Sequence, residues 1–225
     1  ARRDRSVFRF PPLGPAYLAA SLRRAGHDVH LLDCTFLDRE HALQNALDVN
    51  PEVVGVYCMV SMLDECTWFA THLRSHCRFV IAGGPLPSCD PEPFLEHFDA
   101  VVRGEGEQTM HDLLAAETSG AALADIAGIV FKRPADGQRP PELVQTPERP
   151  FIRDLDALPF PARDLLPNDS YIAHTKKKYG YSITTVMSTR GCPFRCEFCS
   201  NVVFGGSFRY RSATNVVDEI EEVLR

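Results

Sequence analysis

Phe79-Val-Ile-Ala-Gly-Gly-Pro85 decides the fold. Its four apolar residues carry no charge, which suits a parallel strand with helices over both faces. Gly83, Gly84 and Pro85 then turn the chain. Working outward, Val53 to Cys58 reads as a second such strand and Leu63 to Arg74 as the helix between them. Further upstream, Gly14 to Gly26 reads as a helix, with Pro15 in its first turn, Tyr17, Leu18 and Leu22 on one side and Gly26 as its stop. Val29 to Asp33 reads as a strand and Asp38 to Leu47 as a helix, and Val7 to Phe10 are left to supply a first strand. Downstream come a short helix near Pro91, a strand from Ala100 to Val102 and a helix over about Glu105 to Ala116. This alternation predicts a doubly wound, Rossmann-like α/β domain over residues 1–120.

Small residues recur where these strands end: Pro11 to Gly14, Ser61, Gly83 to Pro85, and Gly104 with Gly106. In open parallel sheets the carboxyl edge is where ligands bind, and glycine lets a ligand come close to the backbone. A turn alone also calls for glycine, so the set carries more weight than any single loop. A sizeable cofactor on that rim is expected.

After residue 120 the texture changes. Ile126 to Lys132 and Leu143 to Gln145 predict a small hairpin around Pro134 to Pro141. A proline-dotted stretch from Pro147 to Pro167 reads as an ordered linker, with Phe160 and Leu165 pinned against a neighbour. Hairpin and linker together take residues 121–180, and residues 181–225 form the last segment. There Ile183 to Met187 reads as a strand, and Ser212 caps a helix whose Val216, Val217, Ile220 and Leu224 share one stripe. Asp218, Glu219, Glu221 and Glu222 are expected largely on the wet face.

Between that strand and helix lies Thr189-Arg-Gly-Cys-Pro-Phe-Arg-Cys-Glu-Phe-Cys-Ser200. Its thiols Cys192, Cys196 and Cys199 sit on a loop made turn-prone by Gly191 and Pro193, and can converge on one metal. Structural zinc closes with four ligands, and the nearest histidine, His174, lies outside the loop. A four-iron cluster tolerates three cysteines and keeps one iron open to a ligand. A zinc half-site or incidental cysteines are the alternatives. The other histidines, His27, His30, His41, His72, His76, His97 and His111, are expected to be ordinary surface or core residues.

Composition narrows the classes. The chain has 225 residues, 44% hydrophobic and 24% charged, as ordinary globular chains do. A net charge of -6 argues against a general nucleic-acid surface, and Lys176, Lys177 and Lys178 read as a solvated run. Eight cysteines without a signal peptide or a long apolar run give no sign of an oxidising compartment or a membrane span, so a cytoplasmic protein is expected.

The Cys-x3-Cys-x2-Cys pattern, with Phe198 before its last cysteine, resembles the signature loop of radical S-adenosylmethionine enzymes. Other stretches resemble the cobalamin-binding domain that precedes the barrel in one large subgroup of that family. They are Pro-Pro-Leu-Gly-Pro-Ala-Tyr-Leu-Ala-Ala at 11 to 20, Ser61-Met62-Leu63, Gly83-Gly84-Pro85, Val-Val-Arg-Gly-Glu-Gly-Glu at 101 to 107, and the linker wording from Leu158 to Pro167. The resemblance implies a 4Fe-4S cluster on Cys192, Cys196 and Cys199, with S-adenosylmethionine on the open iron and Phe198 beside its adenine. It implies cobalamin on Pro12, Leu13, Ser61, Met62, Leu63, Gly83, Gly84, Pro85, Gly104 and Glu105. Many cobalamin domains carry a histidine below cobalt on the first loop; Pro11 to Pro15 has none, which implies a cobalt without it.

The same resemblance makes residues 181–225 the first unit of a radical S-adenosylmethionine (β/α) barrel. Because the chain starts at Ala1 and stops at Arg225, it is expected to be a fragment of a longer enzyme. The activity implied is reductive cleavage of S-adenosylmethionine with methyl transfer to an unreactive carbon of a small-molecule or natural-product substrate. The electron donor would be a protein such as flavodoxin or ferredoxin. A cyclase or oxidative enzyme without methyl transfer is the second expectation, and an iron-sulfur electron-transfer or corrinoid-binding module the third.

Overall fold

The computed structural model describes residues 9–135 and 140–225. Val7 and Phe8 of the expected first strand, and the centre of the expected hairpin turn, lie outside the described residues. The chain divides into two compact units. One takes Leu43–Leu155 and Thr189–Tyr210; the other takes Asp156–Ser188, Arg211–Arg225 and the described residues up to Ala42.

In chain order the regular elements are α1 (Leu13–Arg24), α2 (Arg39–Asp48), β1 (Val53–Tyr57), α3 (Leu63–Leu73), β2 (Phe79–Gly83), α4 (Pro85–Cys89), β3 (Ala100–Val102), α5 (Gly106–Ser119), β4 (Ile129–Arg133), β5 (Glu142–Gln145), α6 (Asn168–Tyr179), β6 (Thr189–Arg190), β7 (Arg209–Tyr210) and α7 (Ala213–Leu224).

The five-stranded sheet of the first unit runs in the order β1-β2-β3-β4-β5. β1, β2 and β3 are parallel, with Val53 beside Phe79 and Ile81 beside Ala100. Phe79, Val80, Ile81 and Ala82 are all buried, as their uninterrupted apolar run predicts. One face of the sheet packs Val80, Ala82, Val101 and Val130 against Cys66 and Ala70 of α3 and against Phe94, Leu95 and Phe98 around a 3-10 turn at Glu92–Glu96. Asp99 closes the far end of β2, accepting from the Val80 amide at 2.8 Å and pairing with Arg74 at 2.5 Å.

Three expectations are corrected. Ile129–Arg133 and Glu142–Gln145 do form a hairpin, but β4 also pairs antiparallel with β3, Val102 facing Ile129. The hairpin therefore extends the five-stranded sheet beyond residue 120. Val29 to Asp33 and Ile183 to Met187 have strand-like composition but no ladder partner among the described residues, and a strand exists only as a hydrogen-bonded relation between two segments. Finally, Pro85–Cys89 is a short helix where a loop was expected; Pro85 fits its first turn because no intrahelical donor is needed there.

In the second unit, α1 ends on Gly26 as the sequence predicts. The linker is ordered: Leu165 and Ala162 pack on Ala19 and Ala20 of α1, the Ala162 amide donates to the Ala16 carbonyl at 3.0 Å, and Phe160 lies under the Arg211 guanidinium at 5.4 Å. Ser212 caps α7, its hydroxyl accepting from the Asn215 amide. Asp218, Glu221 and Glu222 of α7 are exposed as expected, but Glu219 is not. Glu219 is 1% exposed, while Val217, Ile220 and Leu224 stay at the surface, Leu224 at 80%. The reason is charge. Glu219 accepts from Arg163 at 2.6 Å, from the Tyr17 hydroxyl at 3.3 Å and from Arg211, and a carboxylate so paired can leave water.

Candidate functional site

The carboxyl ends of β1, β2 and β3 carry the residues that the sequence singled out on this unit. After β1, Ser61 and Met62 form a 3-10 turn at Val60–Met62 and Leu63 opens α3. The turn is apolar yet exposed, with Val60 at 77% and Met59, Met62 and Leu63 also at the surface. Below it the Cys66 thiol donates to the Tyr57 carbonyl at 3.5 Å and the Cys58 thiol to the Met59 carbonyl at 3.4 Å, and the neighbouring Cys66 thiol draws Cys58 below the ordinary thiol value.

After β2, Gly84 has φ +102°, and a Cβ there would stand 2.9 Å from the Cys58 carbonyl and from the Tyr57 ring. Only glycine fits that approach. After β3, the Gly104 amide donates to the Ser88 hydroxyl at 3.1 Å, and Glu105 leads into α5. Pro12 and Leu13 start α1 in the other unit.

The cysteine loop belongs to the same unit as this rim. It hangs as an arm from β6 and β7, an antiparallel ladder of Thr189 with Tyr210 and Arg190 with Arg209. Inside the arm the Cys192 amide donates to the Gly205 carbonyl, Asn201 holds the Cys192 carbonyl at 3.0 Å, and the Cys199 amide donates to the Cys196 carbonyl at 3.0 Å. Cys196, Cys199 and Phe198 are exposed, Phe198 at 93%. The three cysteines share one short loop, but among the described residues no three His, Cys, Asp or Glu side chains are grouped so as to hold a metal ion. His41 pairs with Asp38, His72 with the Trp68 carbonyl and His97 with Thr71.

What the sequence reading missed is how the arm is fastened. Arg190 donates to Glu105 at 2.8 Å and to Glu107 at 2.6 Å, and Arg209 reaches both oxygens of Glu105 at 2.9 and 2.8 Å. The Ile152 amide donates to Glu105 at 2.8 Å. The side chains of Arg190 and Glu105 are each 4% exposed. Burial works against the charge on Arg190, but Glu107 and then Glu105 outweigh it and raise its affinity for the proton. Phe204 and Phe151 cover the two guanidiniums at 5.3 and 4.8 Å. Glu105, expected at a cofactor, thus has its carboxylate committed to the arm, and only the backbone of the Gly104-Glu105 turn faces other uses. The signal was in the sequence: charges flank glycine in both loops, as Arg190-Gly191 and as Glu105-Gly106-Glu107.

Residues 3–114 match the B12 binding domain. This region is a B12-binding domain. It is 36% identical over 221 residues to an uncharacterised methyltransferase of Pyrococcus horikoshii, covering 93% of this chain and 45% of that protein. It is 31% identical over 227 residues to the anaerobic magnesium-protoporphyrin IX monomethyl ester cyclase of Rubrivivax gelatinosus, covering 96% of this chain and 39% of that one. In fold it is similar to the cobalamin-dependent S-adenosylmethionine radical enzyme OxsB, with a TM-score of 0.80 and 21% identity over 97% of this chain and 30% of that one. The chain spans less than half the length of these relatives. No helix among the described residues is long and apolar enough to cross a membrane.

Proposed function

We propose that this chain is the corrinoid- and cluster-bearing part of an enzyme that cleaves S-adenosylmethionine reductively and methylates an unreactive carbon of a small molecule. The observation that carries the reading is the cysteine arm fastened by buried ion pairs to the glycine-rich turn of a B12-binding domain. Cys192, Cys196 and Cys199 would hold a 4Fe-4S cluster; the chemistry of the donor set fits, since three thiols on one flexible loop leave one iron open. Phe198, free at the surface, would lie beside the adenine of S-adenosylmethionine. When bound, the cluster supplies the electron that breaks the sulfur-carbon bond, and the corrinoid supplies the methyl group.

The exposed apolar turn at Met59 to Leu63, the close approach at Gly84 with Pro85, and the backbone of Gly104 and Glu105 would seat the corrinoid. No histidine lies between Pro11 and Pro15 to ligate cobalt from below. Residues 181–225 would open a (β/α) barrel, and an electron donor such as flavodoxin or ferredoxin would act with it in the cytoplasm.

The cyclase relative supports a second reading, in which the same cofactors serve ring formation without methyl transfer. Anaerobic reconstitution of the full-length protein with iron, sulfide and hydroxocobalamin, followed by S-adenosylmethionine and a chemical reductant, tests both. Methyl transfer gives S-adenosylhomocysteine and 5'-deoxyadenosine together. The second reading gives 5'-deoxyadenosine alone. Zinc in the cysteine arm, or iron retained at the wild-type level by Cys196→Ser, sinks both.

A further inference from the structure

The ion pairs that fasten the arm are costly devices. Taking guanidinium and carboxylate out of water costs several kcal/mol per ion, and well-packed apolar side chains often stabilise a fold as well or better. What a buried, forked guanidinium adds is direction, because its parallel donors admit one arrangement of two carboxylates. Here two carboxylates meet two guanidiniums, so the charge is balanced.

Their placement links two loops. Arg190 stands two residues before Cys192, with Gly191 between them at φ +82° and its missing Cβ 2.1 Å from the Ser207 carbonyl, so a displacement of Arg190 is passed to Cys192 with little slack. Glu105 and Glu107 flank the first residue of α5, beside Gly104. The Val203 carbonyl of the arm lies 3.6 Å from where a Cβ on Gly104 would stand.

We propose that Glu105, Glu107, Arg190 and Arg209 form a joint through which the β3-α5 turn positions the cysteine arm, so that a corrinoid on the turn and a cluster in the arm favour each other's binding. The inference rests on the cofactor reading above and adds regulation to it. A corrinoid that holds the β3-α5 turn would, through Glu105 and Glu107, also hold Arg190 and the arm in the arrangement a cluster needs. Linkage then requires the same factor in both directions. The four residues are positioning residues, reaching the cofactors through the turn and the arm.

The test uses the full chain under anaerobic conditions. Hydroxocobalamin affinity is measured by absorbance titration with and without prior reconstitution by iron and sulfide. In the wild type the cluster should tighten corrinoid binding by about fivefold or more, the usual lower range of coupling between sites. Arg190→Lys keeps the charge but loses the fork; its ratio should fall to about one while far-UV dichroism and iron content stay at wild-type levels. A merely structural role would move stability and leave the ratio intact.

Because that variant could misfold, a second measurement uses the wild type alone: hydroxocobalamin added to cluster-free chain should slow amide exchange across residues 189–210. A wild type that binds both cofactors with a ratio of one, a ratio retained in Arg190→Lys, or unchanged exchange in the arm overturns the joint and leaves the cofactor reading standing. A wild type that takes up neither cofactor overturns the cofactor reading, and the joint with it.

Discussion

Replacing Glu219 by glutamine removes one charge from a buried cluster without changing its shape. Oε1 accepts from Arg163 at 2.6 Å, and Oε2 accepts from Arg211 and, at 3.3 Å, from Tyr17. An amide would turn an NH2 toward one of two guanidiniums whose side chains are 12% and 4% exposed. Breaking a buried pair from one side costs about 3–5 kcal/mol, because the partner charges stay buried. The exposed Arg23 pair with Asp164, at 44% and 62%, belongs to the class that contributes about 0–1 kcal/mol.

Hydrogen exchange read by mass spectrometry on peptides spanning residues 211–225 measures the loss locally. At about 1.4 kcal/mol per factor of ten, Glu219→Gln should speed exchange of α7 by roughly two to four orders of magnitude. Asp164→Asn should change it by about fivefold or less. A rise below about tenfold in Glu219→Gln, in a chain whose α7 is protected to begin with, would show that Glu219 is hydrated and that its place in a buried ion-pair cluster is wrong.

Gly191→Ala puts a Cβ 2.1 Å from the Ser207 carbonyl at φ +82°, so the β6-β7 ladder should open and trypsin should cut after Arg195 roughly tenfold faster while the five-stranded sheet keeps its dichroism; unchanged cleavage counts against the arm's geometry. Burial of its sulfur and then the Asp33 carboxylate push Cys34 up to about 11, although the residue reaches the surface. Alkylation at pH 8.5 should therefore label the exposed Cys196 and Cys199 well before Cys34, with mass mapping as the readout. A raised thiol leaves the folded state holding its proton longer, so stability falls as pH rises from about 9 toward 11. Half-maximal labelling of Cys34 near pH 9 contradicts this.

Much of the first unit was legible because its signals are local. Phe79 to Ala82 is apolar and short, Gly84 is dictated by a positive φ, and the rim loops carry glycine where the backbone must come close. What could not be read depends on partners distant in sequence. Val29 to Asp33 and Ile183 to Met187 have the residues of strands, but pairing is decided elsewhere in the chain. The α7 stripe has a clear period, yet Arg211, Arg163 and Tyr17 pair with Glu219 and take it out of water. The same holds for Glu105, whose counter-charges at Arg190 and Arg209 lie 85 and 104 residues away.

The antiparallel hairpin on β3 has a consequence of parity. One added strand would have left the chain at the opposite end of the sheet; two return it to the end it came from. β4 starts beside Val102, β5 comes back to Gln145, and the Gly128 amide meets the Pro147 carbonyl at 2.8 Å, so the next few residues deliver the Ile152 amide to Glu105. The round trip leaves the Arg133 and Glu142 end facing away from the loops that carry chemistry, and insertions or reporter groups grafted there should be silent toward them.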